Sequence, residues 1–140
     1  MAEKTIDVTF DGYWRDANKG GIPAQSGVYC VYECTYNAAT KTVDLRTLIY
    51  IGEADNVQDR IANHERYNDW LSHVRAGNEL CFSFGGVDAA IRDRAEAALI
   101  LKHKPPENTE YVDSFPFDKT TMQLTGKTAL LVTAFTVYRT

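Results

Sequence analysis

Two strand-like segments separated by a polar turn constrain the fold of this chain more than any other feature. Residues 27–32 are rich in β-branched and aromatic side chains, and a second β-rich run spans residues 45–51. Between them, residues 36–41 carry the small and polar side chains that are typical of a turn. We therefore predict a β-hairpin whose two strands lie side by side in one sheet.

The remaining patterns predict strands and helices in an order that indicates an α+β fold. Such a fold has a mainly antiparallel sheet covered by helices. We also expect the two terminal strands to join the sheet as extra strands. The predicted elements are a strand at 5–10, a helical region at 57–74, a strand at 80–84, a helix between Asp88 and Pro105, and a strong, partly central strand at 129–138.

Size and composition predict one soluble domain spanning residues 1–140. The chain has 140 residues and is 44% hydrophobic, which is enough to form a core. No apolar run approaches the roughly 20 residues that cross a bilayer, and the first residues lack the features of a signal peptide. We expect a cytoplasmic protein without a membrane partner. Its three cysteines are interpreted as reduced core residues.

Two tyrosines beside glycines form the first candidate site. Tyr29 closes a Gly-Val-Tyr tripeptide, and Tyr50 opens a Tyr-Ile-Gly tripeptide. If the hairpin is symmetric about the boundary between Ala39 and Thr40, Tyr29 lies directly opposite Tyr50 on one face, with Cβ atoms about 5 Å apart. Two phenols could relay or accept a proton with help from a nearby positive charge. Alternatively, the two rings only stack and stabilise the hairpin.

A cation and an imidazole follow the second tyrosine. Arg60 and His64 are four residues apart, so they share one face if they lie in the same helix. An arginine fork suits phosphate oxygens, and an imidazole suits proton transfer or a phosphate contact. The same spacing is also typical of a solvated helix surface.

A carboxylate and an amide complete the candidate residues. Glu96 is the only charged residue within residues 95–101. A carboxylate beside an apolar face is paired, hydrated or bound to a cation, and one carboxylate with waters and phosphate oxygens is a common Mg²⁺ site. An exposed glutamate between small helical residues is the alternative. Asn108 follows two prolines and could either orient a neighbouring group or serve as a turn residue.

In this order and spacing, the candidate residues resemble the GIY-YIG nuclease family. Arg60 follows the second tripeptide by eight positions, His64 comes four later, Glu96 is in a predicted helix, and Asn108 follows a Lys-Pro-Pro run. The resemblance covers residues 27–108, which we take as the motif core. Valine replaces the middle isoleucine of the first tripeptide. The stretch between the tyrosine motifs is longer than usual, so we expect the hairpin to extend past the sheet.

The resemblance implies a small α/β sandwich that hydrolyses DNA phosphodiester bonds with one Mg²⁺ or Mn²⁺ ion. By that likeness, Glu96 would bind the metal and Arg60 would hold the scissile phosphate. Phosphoryl transfer depends mainly on positioning and on charge stabilisation, which a metal ion and an arginine supply.

The resemblance also implies roles for the other four residues around the attacking water. Tyr29 would help to deprotonate it, Tyr50 and His64 would orient it or share its proton, and Asn108 would steady the site. The two tyrosine hydroxyls should then converge with Arg60 on one shared pocket.

Charge predicts that DNA binding is weak or assisted. The net charge is −4, and Glu53 and Asp55 directly follow the second motif, where they oppose a phosphate backbone. A protein partner or a second copy of the chain could supply the missing charge. An alternative function is a non-catalytic nucleic-acid-binding or protein-interaction module on the same fold. The candidate cations for DNA contact are Arg60 and some of Arg66, Arg92, Arg94, Lys102 and Lys104.

Overall fold

Six strands form one mixed sheet in a computed structural model, which describes residues 2–140. Their order across the sheet is β3-β2-β4-β1-β5-β6. Neighbouring strands are antiparallel except for β1 and β5, so the prediction of an α+β fold with a mainly antiparallel sheet is confirmed. The strands are β1 (Lys4–Arg15), β2 (Gly27–Asn37), β3 (Thr42–Ala54), β4 (Glu79–Gly86), β5 (Thr120–Gly126) and β6 (Ala134–Val137).

Three α-helices accompany the sheet within residues 2–140: α1 (Val57–Ala62), α2 (Tyr67–Leu71) and α3 (Ala89–His103). The predicted helical region at 57–74 is thus two short helices rather than one. Asn56 caps α1, because its side chain accepts a hydrogen bond from the Asp59 backbone N–H at 3.0 Å. In the described part of the chain, no helix has the length and apolar character that crossing a membrane would require.

The helices bury both faces of the sheet. On one face, α3 packs through Ala95, Ala98 and Leu99. On the other face, Ile61 of α1 and Trp70 of α2 lie in a second apolar cluster. All three cysteines are free and buried, which agrees with their interpretation as reduced core residues.

Both chain ends contribute strands, as predicted, but the C-terminal part differs in detail. The expected long, partly central strand at 129–138 is wrong: β6 has four residues and lies at the sheet edge. Leu130 has φ +64°, a left-handed conformation that belongs to a turn rather than a strand. The strand β5 was not predicted, although its buried Met122 and Leu124 alternate with more exposed polar residues.

Next to the turn, the two strands of the hairpin pair in the predicted register. The pairing register shifts farther from the turn. Cys34 pairs with Leu45, as a symmetric turn requires. Farther from the turn, two irregularities leave Arg46 and Ile49 of β3 without a partner on β2, and each adds one extra residue to β3. The pairing of β2 with β4 ends at Cys34, so the hairpin extends past the sheet as expected.

These two bulges correct the expected pairing of the tyrosines. Tyr29 lies opposite Gly52, and Tyr50 lies opposite Val31, so the two tyrosines are diagonal rather than directly opposed. A shift of one residue would move Tyr50 to the other face of the sheet, whereas a shift of two returns it to the same face. The expectation that the rings share a face is therefore confirmed, with ring centroids 6.2 Å apart.

A buried carboxylate connects the hairpin to the segment after α2. Glu33, on β2, is only 1% exposed. It accepts hydrogen bonds from the backbone N–H of Arg75 at 2.9 Å, from Asn78 Nδ2 at 2.8 Å and from Thr47 Oγ1 at 3.1 Å. The Arg75 guanidinium adds an ion pair at 3.0 Å. These donors, with Arg75 first, lower the pKa of Glu33 to about 2 despite its burial.

We predict that Glu33 makes stability depend on pH. Because its folded pKa lies below the ordinary value of 4.5, its contribution is present above about pH 4.5 and is lost as the pH falls toward 2. Urea unfolding of the parent chain and of Glu33→Gln should therefore give a stability difference that shrinks across this range. Asp7→Asn, at an exposed position on β1, is the control. A difference that is constant with pH would contradict the role given to Glu33.

Candidate active site

A pocket of about 290 Å³ beside the edge strand β3 brings together five of the six predicted site residues. They come from β2, β3, α1, α3 and the segment after α3, so the chain must fold before they meet. The sixth residue, His64, lies against the rings of both tyrosines. The five predicted residues that line the pocket are Tyr29, Tyr50, Arg60, Glu96 and Asn108.

The Tyr29 ring lies directly over Gly52. Tyr29 is fully buried, and a Cβ added to Gly52 would lie 2.3 Å from both its Cζ and its hydroxyl oxygen. Any side chain at Gly52 would thus occupy the space of the phenol. The glycine of the second tripeptide has a physical role here, since its missing side chain lets the Tyr29 hydroxyl cross β3 and reach the pocket.

The Tyr50 ring belongs to an aromatic cluster with His64 and Trp70. Its centroid is 5.6 Å from the His64 ring and 5.5 Å from the Trp70 ring, and the last two rings are 4.3 Å apart. The spacing predicted that His64 shares a helical face with Arg60, and this prediction is wrong. The helix α1 ends at Ala62, before His64 is reached. His64 lies in the segment between α1 and α2, and packing against Trp70 brings it to the tyrosines.

His64 presents a hydrogen-bond donor that lacks a partner. Its Nδ1 accepts the backbone N–H of Arg66 at 3.0 Å, so the neutral ring carries its proton on Nε2. Among residues 2–140, no group pairs with the buried Nε2. Burial, followed by the charge of Arg60, lowers the pKa of His64 to about 4. The neutral imidazole can therefore donate to an oxygen atom, and such an atom would satisfy the buried donor.

Both ends of the Asn108 amide are hydrogen-bonded to the backbone of β3. Its Nδ2 donates to the Ile51 carbonyl at 2.8 Å, and its Oδ1 accepts the Ile51 N–H at 2.9 Å. The neighbouring Glu107 N–H donates to the Ile49 carbonyl at 3.1 Å. Asn108 thus acts as a positioning residue that fixes the segment after α3 to the outer edge of the sheet.

Glu96 lies in an acidic part of the pocket. Burial raises its pKa to about 8, with further contributions from Glu53, Asp93 and Glu110, while Arg60 opposes the increase. Within the described chain, no side chain hydrogen-bonds or ion-pairs with this carboxylate. The local excess of negative charge favours either a proton or a bound cation at Glu96.

The two acids that follow the second tripeptide share one arginine. Arg92 forms ion pairs with Glu53 and with Asp55, the latter at 2.8 Å, and also donates to Ser26 Oγ at 2.8 Å. One positive charge therefore offsets one of the two negative charges beside the motif. Arg92 is in turn not free to contact a phosphate backbone.

Two of the other candidate cations, Arg94 and Arg66, have different surroundings. Arg94 is 7% exposed and donates to Thr120 Oγ1 at 2.8 Å and to backbone carbonyls, so it is structural. Arg66 lines the pocket together with Arg60. Its guanidinium pairs with Glu107 at 2.7 Å and lies 5.7 Å from the Tyr50 ring centroid. No feature of the sequence distinguishes Arg66 from the other cations.

Both tyrosine hydroxyls are protonated at neutral pH. Burial raises the pKa of Tyr29, Tyr50 adds to this increase, and Arg60 opposes it. The pKa of Tyr50 is also raised, first by burial and then by Glu96. The two phenols can orient a water molecule by hydrogen bonds, whereas neither environment favours a phenolate base.

We predict that Gly52→Ala displaces the Tyr29 ring and lowers stability by about 1–3 kcal/mol, because the new methyl group overpacks the site. Gly86→Ala is the matched strand control, since the nearest atom to its added Cβ is 3.8 Å away. Thermal unfolding of both variants measures the difference. Adding Tyr29→Leu to Gly52→Ala removes the colliding hydroxyl, so the two changes should be less than additive. Equal and small effects of both glycine substitutions would contradict this packing.

Comparison with known proteins gives no relative of this chain. No protein-family model, no curated protein and no solved structure matches it.

Proposed function

We propose that this chain is a metal-dependent endonuclease of the GIY-YIG type, which hydrolyses DNA phosphodiester bonds in the pocket beside β3. One observation carries the proposal: side chains from five separate parts of the chain converge on a pocket of about 290 Å³. They supply a carboxylate, a guanidinium and two phenols, and an amide holds the adjacent backbone. The converging residues are Tyr29, Tyr50, Arg60, Glu96 and Asn108.

Mg²⁺ or Mn²⁺ fits the chemistry of Glu96. This carboxylate has no partner among residues 2–140, and it lies near three further acids in the pocket, Glu53, Asp93 and Glu110. The described residues contain no cluster of three or more metal-ligating side chains. A single carboxylate suits Mg²⁺, which keeps several waters and binds substrate phosphate oxygens. When bound, such a cation lowers the pKa of a bound water and stabilises charge on phosphate oxygens.

The other side chains bind and orient the reacting groups. Arg60 is exposed at the pocket, and no carboxylate in residues 2–140 pairs with it, so its fork can hold a phosphate. Tyr29 and Tyr50 remain phenols, so we assign them the orientation of the attacking water rather than removal of its proton. The unpartnered Nε2–H of His64 can donate to the same water or to a phosphate oxygen.

Glu96→Gln tests this function directly. The substitution keeps side-chain size and helix propensity but removes the anionic ligand, so metal-dependent nicking should fall by orders of magnitude. The melting temperature should hold or rise slightly, because the carboxylate with a raised pKa is unfavourable when ionised. DNA binding should persist, since a negative charge near the phosphate is removed. Nicking of plasmid, single-stranded and branched DNA, together with thermal unfolding, measures these effects.

Glu3→Gln is the control, because it removes the same charge from an exposed position. Its nicking rate should match that of the parent chain. Undiminished nicking by Glu96→Gln would overturn the role of Glu96. Absence of nicking by the parent chain on every DNA form would favour the alternative of a non-catalytic binding module.

A further inference from the structure

A second cavity, of about 520 Å³, lies where the hairpin extends past the sheet. We call it the hairpin groove and define it by five of its lining residues. Two come from β1, two from the hairpin and one from the segment after β5. It is separated from the catalytic pocket by the seven residue steps along β2 from Tyr29 to Tyr36, about 23 Å along the strand. The defining residues are Tyr13, Arg15, Tyr36, Lys41 and Lys127.

The hairpin groove is basic, although the whole chain has a net charge of −4. Three of its lining residues are cations, and none of those described is a carboxylate. Lys41 and Lys127 are exposed, and neither forms an ion pair within residues 2–140. Arg15 is held by Glu79 through hydrogen bonds of 2.7 and 2.9 Å. The two lysines are therefore the cations that remain available to an anionic ligand.

Aromatic rings lie beside these cations in fixed positions. The Arg15 guanidinium stacks on one side of the half-buried Tyr36 ring, 3.5 Å from its centroid. The Tyr13 hydroxyl accepts the Ala129 N–H at 2.9 Å, which fixes the second ring. A basic groove with ordered aromatic side chains combines phosphate contacts with base stacking, the two interactions by which proteins bind single-stranded nucleic acid.

We propose that the hairpin groove binds a nucleotide segment of single-stranded nucleic acid, with phosphates at Lys41 and Lys127 and a base against the Tyr36 side of the groove. The volume suits a ligand of about nucleotide size. A duplex keeps its bases stacked inside, whereas a single strand exposes them to a tyrosine. The choice of ligand class rests on the proposed nuclease function, for which the groove would hold an unpaired part of the substrate.

The test is binding of a fluorescein-labelled oligothymidylate, measured by anisotropy in EDTA so that no metal-dependent cleavage occurs. Lys41→Gln/Lys127→Gln should weaken binding about tenfold or more and reduce the salt slope by about 1.4, the value for two phosphate contacts on a single strand. Lys4→Gln/Lys119→Gln removes the same charge at exposed positions elsewhere and should change binding little. Tyr36→Leu should weaken binding without changing the salt slope, and thermal unfolding checks that each variant is folded.

The proposed binding of nucleic acid in the hairpin groove would be overturned if the two lysine double variants bind equally or if the parent chain does not bind. Displacement of the probe by thymidine monophosphate at comparable concentration would show that the hairpin groove binds free nucleotides. It would overturn the assignment of the groove to single-stranded nucleic acid. The nuclease proposal is judged separately by Glu96→Gln. If that variant nicks like the parent while the groove variants lose binding, the nuclease proposal fails and the groove stands. If nicking needs Glu96 but both double variants bind equally, the groove fails and the nuclease proposal stands.

Discussion

The hydrogen-bond ladder between β2 and β3 is the interaction on which the rest of the site depends. It carries Tyr29 on one strand and Tyr50 on the other, and it places Gly52 beneath the Tyr29 ring. The number of unpaired residues in β3, which is two, determines the face of the sheet on which Tyr50 lies. A single bulge would turn Tyr50 toward α3, whereas two bulges preserve its face and displace it along the strand.

The position of β3 at the edge of the sheet determines how the other half of the site is attached. An edge strand has backbone groups without a strand partner on its outer side. The Asn108 side chain pairs with both backbone groups of Ile51, much as a further strand would. This attachment fixes the segment after α3, the helix that carries Glu96. Thus the same strand that carries Tyr50 also anchors the segment that leads away from Glu96, and the pocket forms between them.

Local patterns were sufficient to predict the hairpin and α3, whereas the set of candidate site residues came from the resemblance in their order and spacing. They could not predict the bulges at Arg46 and Ile49, because a bulge depends on how two strands pair and has no signature in either strand alone. The separation of α1 from α2 could not be predicted, because residues 62–69 contain neither glycine nor proline to mark a break between Ile61 and Trp70. The strand β5 has only Met122 and Leu124 as apolar markers, and its pairing with β1 is a long-range contact that no local window contains.

Charge pairing, which composition alone does not reveal, explains why an acidic chain can have a site suited to a phosphate. Arg92 pairs with both Glu53 and Asp55 beside the motif, so one of these two negative charges is offset inside the molecule. Glu96 and Arg60 both line the pocket, yet neither pairs with a side chain of opposite charge in the described residues. Because these two groups do not pair with each other, the carboxylate favours a cationic ligand and the guanidinium favours an anionic one. One ligand pair that satisfies both is a divalent cation together with the phosphate that it neutralises, the combination on which the proposed phosphodiester hydrolysis depends.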